Sequence, residues 1–318
     1  MSDTTPETTC AVNPPQYTMV VFCYRGEEEL LPMTMRRAKE AIPGVRIHLF
    51  DDSLDPLREK TVQWLKDNLD CTYEQTSFDR KVNLNGKECI LGELDCMRRA
   101  MDADNNTDGY VIKIDPDTII LRFNLVQEAI DNGAKWVSHS STKGHFAGMF
   151  YTMHRSILEV VQRNAEACEF PERCAEDETI GALCYIAAAQ GIYSWTHTAL
   201  PDGPRKFAAF PCETYGTDAY WGNIIWCAFA GHVLTLGNTG MFGLTKSWQV
   251  VNCRDLLWAF YNQDKARAMC QNPERLDNLP EIHLLVTNIE QNKKAVEETT
   301  NEDVAKQIPP EVSKPVVL

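Results

Sequence analysis

The sequence predicts an α/β fold, with a mainly parallel sheet flanked by helices. Three observations lead there. Short apolar runs alternate with stretches of helical periodicity from Tyr17 to Leu121. The run Tyr110-Val-Ile-Lys-Ile-Asp-Pro-Asp-Thr-Ile-Ile-Leu121 reads as a buried strand that ends in two carboxylates. The ligand crevice of an open α/β sheet lies at the carboxyl ends of its strands, where this acid pair falls.

The elements follow in order. Residues 1–16 are polar and rich in Pro and Thr, and read as a disordered tail. Tyr17 to Tyr24 is the first strand. Acids open the helical pattern Leu30 to Ala41 and basic residues follow, as the helix dipole favours; Pro43-Gly44 stops it. Val45 to Phe50 is a second strand, ending in Asp51-Asp52-Ser53, and Pro56 to Leu69 a second helix. Asn83 to Lys87 is a turn, and Ile90 to Ala103 has helical spacing. After Leu121 come a short helix at Asn124 to Asp131, a strand at Lys135 to Ser140, and a glycine-bearing segment, Gly144 to Tyr151. Helices are expected at Ser156 to Cys168, from Glu176 to Gln190, and at Arg254 to Cys270. From Gln291 onwards the chain is charged and poor in large apolar residues, which reads as a tail.

Composition narrows the function. Lys+Arg total 31 and Asp+Glu 45, a formal charge of -14, which argues against a general nucleic-acid-binding surface. No apolar stretch is long enough to span a bilayer, and no secretory signal is visible. The 12 cysteines are irregularly spaced with no C-x-x-C pair, and several lie in apolar runs. Buried reduced thiols in a cytoplasmic protein account for them.

The acid pair Asp115 and Asp117 is the principal candidate site. Pro116 fixes its own φ and pushes Asp115 towards an extended conformation. Adjacent carboxylates at a core strand's tip repel one another, and a divalent cation relieves this. Hard carboxylate oxygens suit Mg²⁺ or Mn²⁺, commonly bound by one or two carboxylates plus substrate phosphates. An acidic turn with no ligand is the other reading of the same residues.

The motif order resembles a glycosyltransferase family. Asp51-Asp52 on the second strand is followed by Asp115-Pro-Asp117, the Gly144 to Tyr151 segment and Glu176-Asp177-Glu178 at a helix start. This is similar to GT-A fold enzymes of the fringe and β-galactosyltransferase type, with a DxD motif, a glycine segment and Glu-Asp-Val. The resemblance covers roughly residues 17 to 190; the glycine segment here has only Gly144 and Gly148.

The resemblance implies a GT-A catalytic domain over 17–290, with a nucleotide-sugar half at 17–121, an acceptor half at 122–290 and a flexible tail at 291–318. It implies transfer from a nucleotide-diphosphate sugar, a UDP-sugar first, to a hydroxyl of a glycan, lipid, protein or modified base. Asp117 would be the main ligand for Mn²⁺ or Mg²⁺, with Asp115 helping at the metal or ribose and His232 as a third metal ligand. His145 and His197 stand behind His232. Cys23, Tyr24, Arg25, Asp51 and Asp52 would face the nucleotide. Lys87 is a further cofactor-binding candidate, and Lys246, with Trp248, would meet the diphosphate. Asp177 would be the catalytic base, with Glu178 or Glu176 as substitutes. Trp195, Tyr215, Tyr220, Trp221 and Trp226 lie where an acceptor sugar would stack, although buried aromatics also fill cores.

Two rivals have different chemistry. Ile-Asp-Pro-Asp-Thr also resembles the nucleophile strand of haloacid-dehalogenase-like phosphatases, but the sequence contains no Gly-Asp dipeptide for the later acidic cluster. A non-catalytic sugar- or nucleotide-binding relative would be free to lose the acids, yet both are present.

Overall fold

Strand β1 (Tyr17–Cys23) lies between two parallel neighbours, β2 (Arg46–Asp52) and β4 (Tyr110–Ile114). The computed structural model describes residues 16–78, 86–140, 146–169, 176–189, 197–200, 219–236, 246–270, 272–278 and 285–286. Strand β3 (Cys71–Thr76) adds beside β2, also parallel. On the other side β7 (Phe146–His154) runs antiparallel to β4, followed by β6 (Trp136–Ser140), β8 (His197–Leu200) and β10 (Leu285–Val286). The spatial order is β10-β8-β6-β7-β4-β1-β2-β3. The expected sheet with helices on both faces is what forms.

Side-chain alternation explains the layers. Met19, Val21 and Cys23 of β1 face one way, into a core with α1 (Leu31–Ala41), α2 (Glu59–Leu69) and α4 (Asn124–Asp131). Val20 and Phe22 face the other, against α3 (Gly86–Ala103), α5 (Arg155–Ala167) and α6 (Glu176–Ala189). Strand β4 repeats the pattern: Ile112 and Ile114 join the first core, Val111 the second. Each such aliphatic side chain contributes about 1.5–3 kcal/mol by leaving water.

A third core lies beyond the acid pair. There β5 (Thr118–Ile120) pairs antiparallel with β9 (Val233–Thr235). Ile119, Leu121 and Leu234 pack against α7 (Ala219–Ala230), α8 (Lys246–Tyr261) and α9 (Gln263–Ala268). Among the described residues no helix is long and apolar enough to cross a membrane.

Several boundaries differ from expectation. Strand β3 carries no apolar signal because Thr72, Glu74 and Gln75 are exposed at the sheet's edge. The segment at 146–151, read as a glycine-bearing stretch, is part of β7. Helix α3 starts at Gly86, whose positive φ of 68° suits glycine, so Gly86 and Lys87 open a helix and not a turn. Helix α8 begins at Lys246 instead of Arg254 and ends at Tyr261; α9 follows it. Of the expected tails, 1–15 and 291–318 lie outside the described residues, while Gln16 is held by Tyr110 N–H and Asp104 O.

Candidate functional site

The acid pair sits on a turn that its neighbours hold from several sides. Thr118 N–H donates to Asp115 O at 3.0 Å, closing a four-residue turn with Pro116 at its second position. Asp115 N–H donates to Met149 O of β7 at 3.0 Å. The buried Thr34 hydroxyl of α1 donates to Pro116 O at 3.1 Å. Leu236 N–H donates to Asp117 O at 2.7 Å, and the Gln249 amide of α8 reaches Asp117 Oδ2 at 3.4 Å. Four segments, β7, α1, the end of β9 and α8, therefore converge on three residues. Both carboxylates remain half-buried at the carboxyl edge of the sheet.

Behind Asp115 lies a buried charge network. Lys113, two residues earlier on β4, is 1% exposed. Its ammonium donates to Asp115 Oδ1 at 2.8 Å, to Glu176 Oε2 at 3.3 Å and to the Gly148 carbonyl. Tyr151 is the cross-strand partner of Lys113 and donates its hydroxyl to Glu176 Oε1 at 2.8 Å. Burial, with Glu176 and Glu93 nearby, pushes the Tyr151 hydroxyl well up, so it stays a donor. A buried lysine needs such partners, because an unpaired charge in the interior is costly. Asp115, Glu176 and the Gly144 to Tyr151 segment stand out in the sequence, but Lys113, which joins them, does not. The available signal was a lysine inside an otherwise apolar strand.

The tips of β1 and β2 form the adjoining edge. Cys23 is buried, its thiol 3.7 Å from Phe50 O. Tyr24 is half-buried and extended, with its ring lying over Gly26; a Cβ there would come 2.5 Å from Tyr24 Cε2. Arg25 is half exposed and donates Nε to Pro56 O at 3.0 Å.

Asp51 and Asp52 close strand β2. They are 0% and 2% exposed. Asp51 Oδ2 accepts from Leu57 N–H at 2.8 Å and the Tyr73 hydroxyl at 2.6 Å; Asp52 Oδ1 accepts from Leu54 N–H at 2.9 Å. Burial raises Asp51 above the usual carboxylate range despite those bonds. Both acids hold the loop that leads to α2.

Other candidates are placed elsewhere. His232 lies at the far end of the β5–β9 ladder from the acid turn. Its carbonyl accepts from Leu121 N–H at 2.7 Å, at the end of the β5–β9 ladder away from Asp117. Asp117 is level with Leu236, four residues further along, a separation of about 13 Å at strand rise. The Arg122 guanidinium also lies beside His232, bonded to Gly231 O at 2.6 Å and Ala228 O at 2.9 Å. The Arg122 guanidinium repels a cation there, which weighs against His232 as the third ligand. Lys87 donates Nζ to Glu166 O at 2.9 Å and Cys168 O at 2.7 Å, closing the C-terminus of α5. That role was missed because the turn reading hid the helix start.

Asp177 and Glu178 fall in the first turn of α6, and Lys246 starts α8; only their backbones are described. The same holds for His197, Tyr220 and Trp248, while His145, Trp195 and Tyr215 lie outside the described residues. Trp221 and Trp226 pack against the third core, and Trp221 meets Trp258 edge-on at 5.6 Å.

The donor set fits Mg²⁺ or Mn²⁺. Two hard carboxylates on a fixed turn would hold such an ion and would leave its remaining coordination to phosphate oxygens and water, as is common for these ions. Among the described residues no group of three or more His, Cys, Asp or Glu forms a metal cage.

No protein-family model matches the sequence, and no curated protein matches it. Among solved structures, the chain is similar to the mannosyltransferase PcManGT from Pyrobaculum calidifontis in complex with GDP-Man and Mn²⁺. That likeness covers 92% of this chain and 88% of that one, with 13% identity and a TM-score of 0.39. The chain is also similar to an active-site mutant of LgtC, over 52% of this chain and 70% of that one, with 13% identity and a TM-score of 0.36. The galactosyltransferase LgtC in complex with donor and acceptor sugar analogs is similar over 46% of this chain and 59% of that one, with 12% identity and a TM-score of 0.34. At such scores a functional reading has to stand on the chain's own residues.

Proposed function

We propose that the chain is a GT-A type glycosyltransferase. It moves a sugar from a nucleotide-diphosphate sugar, a UDP-sugar first, to a hydroxyl acceptor, with Mn²⁺ or Mg²⁺ held by Asp117 and Asp115. One observation carries this reading: a proline-centred turn, held by α1, α8 and the β7 edge, displays two carboxylates at the carboxyl end of a central strand. When bound, the ion offsets the charge that develops on the diphosphate leaving group.

The chain's own residues divide the remaining work. Tyr24 and Arg25 border the nucleotide beside the acid turn. Lys113 fixes one oxygen of Asp115, leaving the other for ribose or metal. Asp177 accepts the acceptor hydroxyl's proton, with Glu178 as its substitute. Lys246 opens α8, whose first turn reaches Asp117 through Gln249, and meets the diphosphate from that side. The nine described cysteines are all buried, which fits the reduced core thiols of a cytoplasmic protein.

The test is a panel of UDP-, GDP-, CMP- and ADP-sugars, each with Mn²⁺ or EDTA, read by thermal melts and calorimetry. One nucleotide should raise the melt only with Mn²⁺. Asp117→Ala should abolish that binding and leave the melt of the free protein close to wild type. Identical melts with Mn²⁺ and EDTA for every nucleotide would sink the reading.

A further inference from the structure

The Lys113 network joins two motifs that lie 61 residues apart in sequence, from Asp115 to Glu176. Its ammonium touches both carboxylates, with side-chain exposures of 2% for Lys113 and 16% for Glu176. Both oxygens of Glu176 are engaged, Oε2 by Lys113 and Oε1 by Tyr151. Tyr151 is itself pinned, stacked on Trp136 with ring centroids 5.3 Å apart. Lys113 and Tyr151 are register partners on β4 and β7, so both point to the same face of the sheet. A buried ion cluster is a poor way to gain stability, since apolar packing does as well or better. It is an effective way to fix geometry, because partly satisfied alternatives are costly in a low dielectric.

We propose that Glu176 is a positioning residue: through Lys113 and Tyr151 it clamps the first turn of α6 to the strand that carries Asp115. The clamp sets the separation between the donor-site acids and Asp177 and Glu178, which follow Glu176 in the helix. This rests on the transferase reading. With both oxygens held, Glu176 anchors the helix that carries the base. Small misplacements of a catalytic group are expensive, on the order of 10²-fold in rate for about 1 Å.

The experiment uses the full chain and three variants: Glu176→Gln, Tyr151→Phe and the double variant. The probes are hydrogen exchange of the α6 first-turn amides and calorimetric affinity for Mn²⁺ with the sugar nucleotide selected by the melt panel. The third is the rate at which that compound releases its nucleotide. In Glu176→Gln the amides should exchange about tenfold faster. Affinity should stay within about twofold, and turnover should fall on the order of 10²-fold. Tyr151→Phe should shift exchange and turnover the same way by less. The double variant should be no worse than Glu176→Gln, because both act through one carboxylate.

Unchanged turnover in folded Glu176→Gln overturns the proposal. So does lost turnover with normal exchange, which would make Glu176 itself a catalytic group. Should Glu176→Gln fail to fold, Tyr151→Phe decides alone, and unchanged exchange and turnover there overturn the clamp. A wild-type chain that binds no sugar nucleotide fails the transferase reading, and the clamp falls with it.

Discussion

His232 is neutral in the folded chain. Burial first, and the Arg122 guanidinium second, push its imidazole down to about 4. In the unfolded chain it titrates near the ordinary value of about 6.5. The folded group thus binds its proton less well, so its contribution is complete above about 6.5 and is lost as pH falls towards about 4. Melting temperature should decline across that window. His232→Asn should flatten the decline and leave Mn²⁺ affinity within about twofold, since the imidazole lies away from the acid pair. A Mn²⁺ affinity lost in His232→Asn would return the residue to the metal site. Asp51, the neighbouring candidate on β2, is buried and accepts from Leu57 N–H at 2.8 Å.

Strand β4 carries the site, and its entry is set by a tight approach. Gly109 precedes it, and a Cβ there would lie 2.3 Å from the Gln16 carbonyl oxygen and 2.2 Å from Asn106 Oδ1. That same carbonyl accepts from Tyr110 N–H at 2.9 Å, the bond that starts β4 beside β1. A backbone atom cannot swing aside as a side-chain tip can. Gly109→Ala should therefore cost about 1–3 kcal/mol, measured by denaturant unfolding. An unchanged midpoint would show that the strand entry has slack. At the other end of β4 the helices contribute unequally. Thr34 of α1 reaches the turn at Pro116 O, while Gln249 of α8 reaches its second acid by a longer bond.

At the scale of the whole molecule, the acid turn lies where β4 leaves the main sheet and β5 enters the second one. One side is the main sheet, eight strands among the described residues, with its two cores, and the other is the β5–β9 pair with α7, α8 and α9. A ligand that engages Asp115 and Asp117 together therefore acts on the junction of both. Ligands that bind only the folded state stabilise it by mass action, by about 2.7 kcal/mol at a hundredfold excess over Kd. Melts should rise with Mn²⁺ and sugar nucleotide together by more than the sum of the separate shifts. Additive shifts would mean that metal and nucleotide bind apart.

The sequence by itself determined the alternation of strand and helix, the central apolar strands and the turn at Asp115-Pro-Asp117. These are local matters, set by hydrophobic period and by the restrictions proline places on itself and its neighbour. It also marked Glu176-Asp177-Glu178 as a helix start, where acids are favoured by the dipole. Only the tertiary structure decided the rest. Strand β3 is a strand because β2 offers it an edge, and its own residues carry little apolar signal. Lys87 binds carbonyls about 80 residues away, a pairing no local pattern encodes. His232 and Asp117 are held apart by the antiparallel register of β5 and β9. Lys113 became legible as a joint between motifs only once β4, β7 and α6 were in place. A buried charge declares that it needs partners, but which carboxylates supply them is settled by packing across the sheet.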